Sequence, residues 1–262
     1  VSRRGRGKRL AFIPKRQHPH PLSAPPRRAA AVGVRGNGER SVLTTKIAVR
    51  NVSKVFGGAP DEALALLREG RGKEDILKET GQTVGVQDVN FDVEQGEIFV
   101  VMGLSGSGKS TLIRMLNRLI PVTAGSIEID GEDIVTMPDE QLREVRLRKM
   151  AMVFQHFALF PHRTVAENAA YGLKVQGVEA DERRERALKA LRQVGLEAWA
   201  DRRPSALSGG MQQRVGLARG LAVDPEILLM DEPFSALDPL IRRDMQGELL
   251  ELQRELHKTI VF

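Results

Sequence analysis

Gly103-Leu104-Ser105-Gly106-Ser107-Gly108-Lys109-Ser110, continued by Thr111, is the stretch that decides how this chain folds. It fits the pattern Gly-x-x-x-x-Gly-Lys-Ser/Thr and follows the unbroken apolar run Ile98-Phe99-Val100-Val101-Met102, which reads as a strand buried on both faces. Beyond it, Leu112, Ile113, Leu116 and Leu119 share one face of a helix that starts at Lys109 and that Pro121 breaks. Between a strand and a helix, the glycines let backbone N–H groups approach phosphate oxygens, and the helix N-terminus adds the positive end of its dipole. Lys109 is then placed to reach the β and γ phosphates of a nucleotide, and Ser110 to offer its hydroxyl oxygen to Mg2+.

Downstream, Ile227-Leu228-Leu229-Met230 reads as a second buried strand and delivers Asp231 and Glu232 to its carboxyl end, the edge at which open α/β sheets bind ligands. Asp231 is expected to hold Mg2+ through water, and Glu232 to polarise the water that attacks the γ-phosphate. Thr259 to Phe262 begins a third such strand, and the stripes Ala187, Leu188, Leu191, Val194 and Met245, Leu249, Leu252, Leu256 mark helices. Upstream, Ile47–Val52, Val84–Val93 and 126–134 read as antiparallel strands, with Asp130-Gly131 as a turn and one wet face carrying Asn90 and Asp92. The class is α/β: a P-loop nucleotide-triphosphatase core with an antiparallel β subdomain and a mainly helical subdomain over about 157–206. A charged helical insert, Asp61 to Thr80 within 57–83, shows no chemistry of its own.

Leu207-Ser208-Gly209-Gly210-Met211-Gln212-Gln213-Arg214 opens a helix some 20 residues before the two acids, a second helix start able to face an anion. With Gln155 after Met152-Val153-Phe154, and Ser235-Ala236-Leu237-Asp238 after Glu232, the chain from about 46 to 262 resembles an ATP-binding cassette (ABC) ATPase. The resemblance implies ATP and Mg2+ as cofactors, bound through Gly103 to Thr111, with Ser110, Gln155 and Asp231 around the metal and Glu232, Lys109 and Gln155 in catalysis. It also implies that Ser208, Gly209 and Gly210 meet the γ-phosphate of ATP held by a second cassette in a head-to-tail dimer, and that Asp238 organises the dimer interface. Phe56, in Lys54-Val55-Phe56-Gly57, falls where the family places an aromatic under adenine; the rival reading is a core phenylalanine, because the insert directly after it could displace it from that place. His156 and His162 lack metal spacing and read as structural.

Within the family, the insert, Leu116-Asn117-Arg118-Leu119-Ile120, the run from Met152 to His162 and the run from Phe234 to Arg242 resemble ATPase subunits of glycine betaine/proline betaine importers. That likeness implies a peripheral protein on the cytoplasmic face of a bacterial inner membrane, docked through Gln155 on a transmembrane permease, with a periplasmic or lipid-anchored protein selecting the solute. An importer ATPase for another solute is the nearest alternative. A cassette acting on nucleic acid or ribosomes is the reading from another class, and a single cassette without a heptad run argues against it.

The remaining composition bounds these readings. Among 262 residues, 41% hydrophobic and 28% charged, there is no cysteine, which excludes disulfides, thiol catalysis and cysteine-ligated metals. The net charge of +6 is uneven: residues 1–45 hold nine arginines, two lysines and one acid, Glu39, so 46–262 carry −4. That Gly/Pro/Arg-rich tail is expected to be disordered, because it buries too little apolar surface to offset its ordering entropy. The family's γ-phosphate histidine would lie beyond Phe262, so the chain is expected to be incomplete at its C-terminus.

Overall fold

Ile47, Val49, Val52 and Val55 are buried on a strand that is paired along both edges. The computed structural model describes residues 9–12, 32–34, 40–42, 44–155, 158–234 and 239–262. Before residue 44 the described residues are three short strands, β1 (Arg9–Phe12), β2 (Val32–Val34) and β3 (Arg40–Val42), the last two paired antiparallel. The rest of the segment read as disordered lies outside the described residues. From 44 on, the chain divides into two compact units, residues 44–95 with 101–136, and 96–100 with 137–262.

The first unit is built on β4 (Thr45–Phe56), in a sheet of order β5-β4-β7-β8 with β5 (Thr83–Glu94), β7 (Ala124–Ile129) and β8 (Glu132–Asp133), all antiparallel. Asp130 and Gly131, both at positive φ, form the expected turn between β7 and β8. The single wet face holds only in part for β5, where Asn90 is exposed but Asp92 is half-buried, and not for β4, in which Lys46 to Val49 are all buried. Between β4 and β5 the insert is two helices rather than one, α1 (Pro60–Arg68) and α2 (Lys73–Thr80). Ala63, Leu64 and Ile76 seal it against Val55 and Val84, so the insert has its own small apolar core.

β6 (Ile98–Met102) leads into the phosphate loop and α3 (Lys109–Met115). The expected helix up to Pro121 ends six residues early. Arg118 takes a left-handed φ of 55°, its guanidinium donates to the Ile134 carbonyl at 3.0 Å, and Leu119, placed by periodicity on the buried face, is 48% exposed.

The second unit holds parallel strands in the order β6-β11-β10-β9, with β9 (Met150–Val153), β10 (Ile227–Met230) and β11 (Thr259–Val261). Its helices are α4 (Asp139–Arg148), α5 (Val165–Ala169), α6 (Tyr171–Val175), α7 (Ala180–Gln193), α8 (Gly209–Ala222) and α9 (Pro239–Leu256). Two of the starts have a side-chain cap. Thr164 and Glu167 make a reciprocal capping box for α5, and Ser208 caps α8 by accepting from the Met211 N–H at 3.3 Å. Ala187, Ala190 and Leu191 of α7 join Val215 and Leu217 of α8 and Leu228 and Met230 of β10 in one core. Among the described residues no helix is long and apolar enough to cross a membrane.

Candidate functional site

The phosphate loop is a run of backbone that only glycine adopts easily at two of its positions. Gly106 and Gly108 have φ of 75° and 97°. Gly108 is also hemmed in, since a Cβ there would stand 2.4 Å from the Gly85 carbonyl oxygen. Lys109 folds its ammonium back onto the loop, donating to the carbonyls of Gly103 and Leu104 at 3.2 and 3.1 Å. The Ser107 hydroxyl is buried and has no hydrogen-bond partner. A buried hydroxyl without a partner costs free energy that an incoming phosphate oxygen would recover. A lysine ammonium folded onto a left-handed glycine loop, beside a buried hydroxyl with no partner among the described residues, suits a polyphosphate. Ser110 and Thr111 follow at the start of α3, both half-buried.

Phe56 closes β4 opposite Thr83, so the insert leaves the strand end in register instead of displacing it. The ring is 41% exposed, which removes the reading as a core phenylalanine. The Lys54 ammonium lies 5.1 Å from its centroid, and partial burial pushes that amine below the ordinary lysine range.

In the second unit, β10 carries Asp231 and Glu232 at its carboxyl end, as the sequence pattern requires. Asp231 is 0% exposed, and its N–H continues the ladder to the Val153 carbonyl at 2.9 Å. Glu232 takes a left-handed φ of 46°, which costs a non-glycine residue roughly 1–2 kcal/mol. The Gln155 amide nitrogen donates to the Glu232 carboxylate at 3.2 Å, joining two motifs 77 residues apart. Gln155 and Asp231 each carry a side-chain oxygen, the donor type that Mg2+ selects. Ser208 and Gly209 are exposed at the head of α8, and a Cβ on Gly209 would meet nothing within 4 Å. Asp238 and His156 lie outside the described residues. His162 packs edge-on to Phe160, consistent with a structural role.

Two residues that the motif reading passed over hold the segment after Gln155. Asn168, 0% exposed, donates from its side chain to the carbonyls of Phe160 and Thr164 and accepts from the Phe160 N–H at 2.7 Å. Arg219 donates to the carbonyl of Ala158, itself at a φ of 45°, from a position where burial keeps its guanidinium below the usual arginine value. Neither has a local sequence signature: Asn168 looks like a polar residue in an amphipathic helix, and Arg219 like an exposed helix cation.

The family described as "ABC transporter" matches residues 86–235. The chain is 62% identical over 217 residues to the glycine betaine transport ATP-binding protein OpuAA of Bacillus subtilis (strain 168), covering 83% of this chain and 52% of that protein. It is 57% identical over 220 residues to the glycine betaine/proline betaine transport system ATP-binding protein ProV of Escherichia coli (strain K12), covering 84% and 55%. The chain thus spans about half the length of these curated relatives. Among solved structures, a dimeric post-hydrolysis state of the ATP-binding cassette MJ0796 bound to ADP and Pi superposes with a TM-score of 0.67 at 34% identity, over 82% of this chain and 86% of that one.

Proposed function

Because the chain belongs to the ABC transporter family of ATP-binding domains, we propose that it is the ATP-hydrolysing, energy-coupling subunit of an importer for glycine betaine, proline betaine or a related osmoprotectant. One observation carries the catalytic half of this reading, the hydrogen bond from Gln155 to Glu232 at the end of β10. Glu232 takes the proton of the attacking water as general base. Gln155 holds that carboxylate in place and couples the site to the permease. Lys109 leaves the loop carbonyls to bind the β and γ phosphates, which arrive with more negative charge than the carbonyls offer. Mg2+, when bound by the oxygens of Ser110, Gln155 and Asp231, neutralises phosphate charge and orients the groups that react. Phe56 supplies a platform for adenine.

Ser208, Gly209 and Gly210 meet the γ-phosphate of ATP held by a second cassette. Gly209 supports this: among the described residues nothing occupies the space a side chain would fill, so the position is open to close approach. Docking on a permease places the protein at the cytoplasmic face of the inner membrane, with the solute chosen by a separate binding protein. The preference for betaines rests on likeness to proteins named for those solutes.

The test is purification of the full-length chain from solubilised membranes, followed by transport in liposomes. A hydrophobic permease should co-purify, and ATP should drive uptake of labelled glycine betaine. Co-purification of nucleic acid without a permease would overturn the importer reading, and uptake of another solute in place of betaines would overturn the assignment of cargo.

A further inference from the structure

Gly85 on β5 plays no part in phosphate chemistry, and its backbone does not ask for glycine, since its φ is not positive. Glycine inside a strand weakens it, so its presence marks a place where something comes close. Two things do. A Cβ on Gly85 would stand 2.7 Å from Cε2 and 3.3 Å from Cδ2 of Phe56, whereas the next atom, the Lys54 carbonyl oxygen, is at an ordinary 3.7 Å. On the other side, the Gly85 carbonyl oxygen faces Gly108 of the phosphate loop, 2.4 Å from where a Cβ of that residue would be. One residue thus touches both the aromatic ring and the loop. The contact depends on strand geometry, because the β4–β5 register shifts between Lys54 and Val55, bringing Phe56 opposite Thr83 while Lys54 stays opposite Val86.

We infer that Gly85 is a positioning residue: by lacking a side chain it lets Phe56 settle against β5 at a fixed separation from Gly108, so that one nucleotide can place its base on the ring and its phosphates in the loop. The inference rests on the reading of Phe56 as the base platform. Alanine at 85 would meet only the ring, so the platform moves while the strand and the loop stay. Lys54 sets the direction of that movement in part, since its ammonium already covers one side of the ring.

The experiment measures equilibrium binding of ATP and of inorganic tripolyphosphate to the full-length chain and to Gly85→Ala, Phe56→Ala and the double variant, with unfolding temperatures alongside. Gly85→Ala should weaken ATP about tenfold, the scale of one base–aromatic contact, and leave tripolyphosphate affinity unchanged. Added to Phe56→Ala it should cost nothing more, because the ring it displaces is gone. Normal ATP affinity in Gly85→Ala, with a loss in Phe56→Ala, would overturn the positioning role alone. No loss in Phe56→Ala would overturn the base platform and the inference with it. Equal loss of ATP and tripolyphosphate that persists in the double variant would mean that residue 85 acts through the loop, which also overturns it; if Gly85→Ala folds poorly, the double variant relieves the clash and still reads the coupling.

Discussion

Gly209 at the head of α8 and Glu232 at the end of β10 are mismatched to their backbones in opposite senses. Gly209 is a glycine in ordinary helical backbone, with open space where its side chain would be. Glu232 is a long charged residue held at a φ of 46°, where glycine would be at ease. Chain stability by itself would exchange the two choices. Gly108 is the control, with a φ of 97° and a neighbouring carbonyl that both require glycine, and glycine is there. Left-handed backbone at a non-glycine residue also serves turns, as at Asp130 and Arg118, so at Glu232 it is the hydrogen bond from Gln155 that sets the position apart.

The comparison is tested hardest at Glu232. In the full-length chain, Glu232→Gln should keep ATP binding and lose about 10²- to 10⁴-fold in turnover, the usual scale of a general base. Normal steady-state hydrolysis by this variant would place the base elsewhere. Gly209→Ala comes next: turnover should fall about 10²-fold, as when one preorganised contact to developing charge is lost, while the unfolding temperature is unchanged or higher. A lowered unfolding temperature would show that Gly209 serves its own fold and would remove the contrast with Gly108.

Gly108→Ala should destabilise by about 2 kcal/mol or more, from left-handed strain together with the collision at the Gly85 carbonyl. Denaturant titration reads this, and an unchanged midpoint would mean that the loop relaxes freely. Glu232→Gly should give the smallest effect on stability and the opposite sign, a gain of up to about 1 kcal/mol from relieved strain, in a protein that no longer turns over. A loss of stability there would show that the Gln155 contact outweighs the backbone cost.

The strands before the phosphate loop and before the two acids were legible because their apolar runs are continuous and each ends in a motif. β9 was not, for Met150-Ala151-Met152-Val153 is short and poor in β-branched residues, and becomes a strand by pairing with β10 along its whole length. The end of α3 was misplaced because apolar periodicity continues through Leu119, whereas the backbone turns at Arg118 to reach the carbonyls of Ile134 and Val135. The insert was read as helical but not as two helices with a core, since Ile76 and Leu64 find Val55 and Val84 only once β4 and β5 are paired.

By itself the amino-acid sequence determined the class of fold, the phosphate loop, the two acids and the head of α8, because each is a local pattern whose chemistry follows from adjacent residues. Tertiary structure alone decided that Gln155 meets Glu232, that Asn168 and Arg219 hold the segment after Gln155, and that Phe56 stands exposed on a glycine that also touches the loop. Apart from the nearer contacts of Asn168, these join residues tens of positions apart, set by strand register and helix packing. Composition and periodicity report which face a residue prefers, and not which distant atom it will find there.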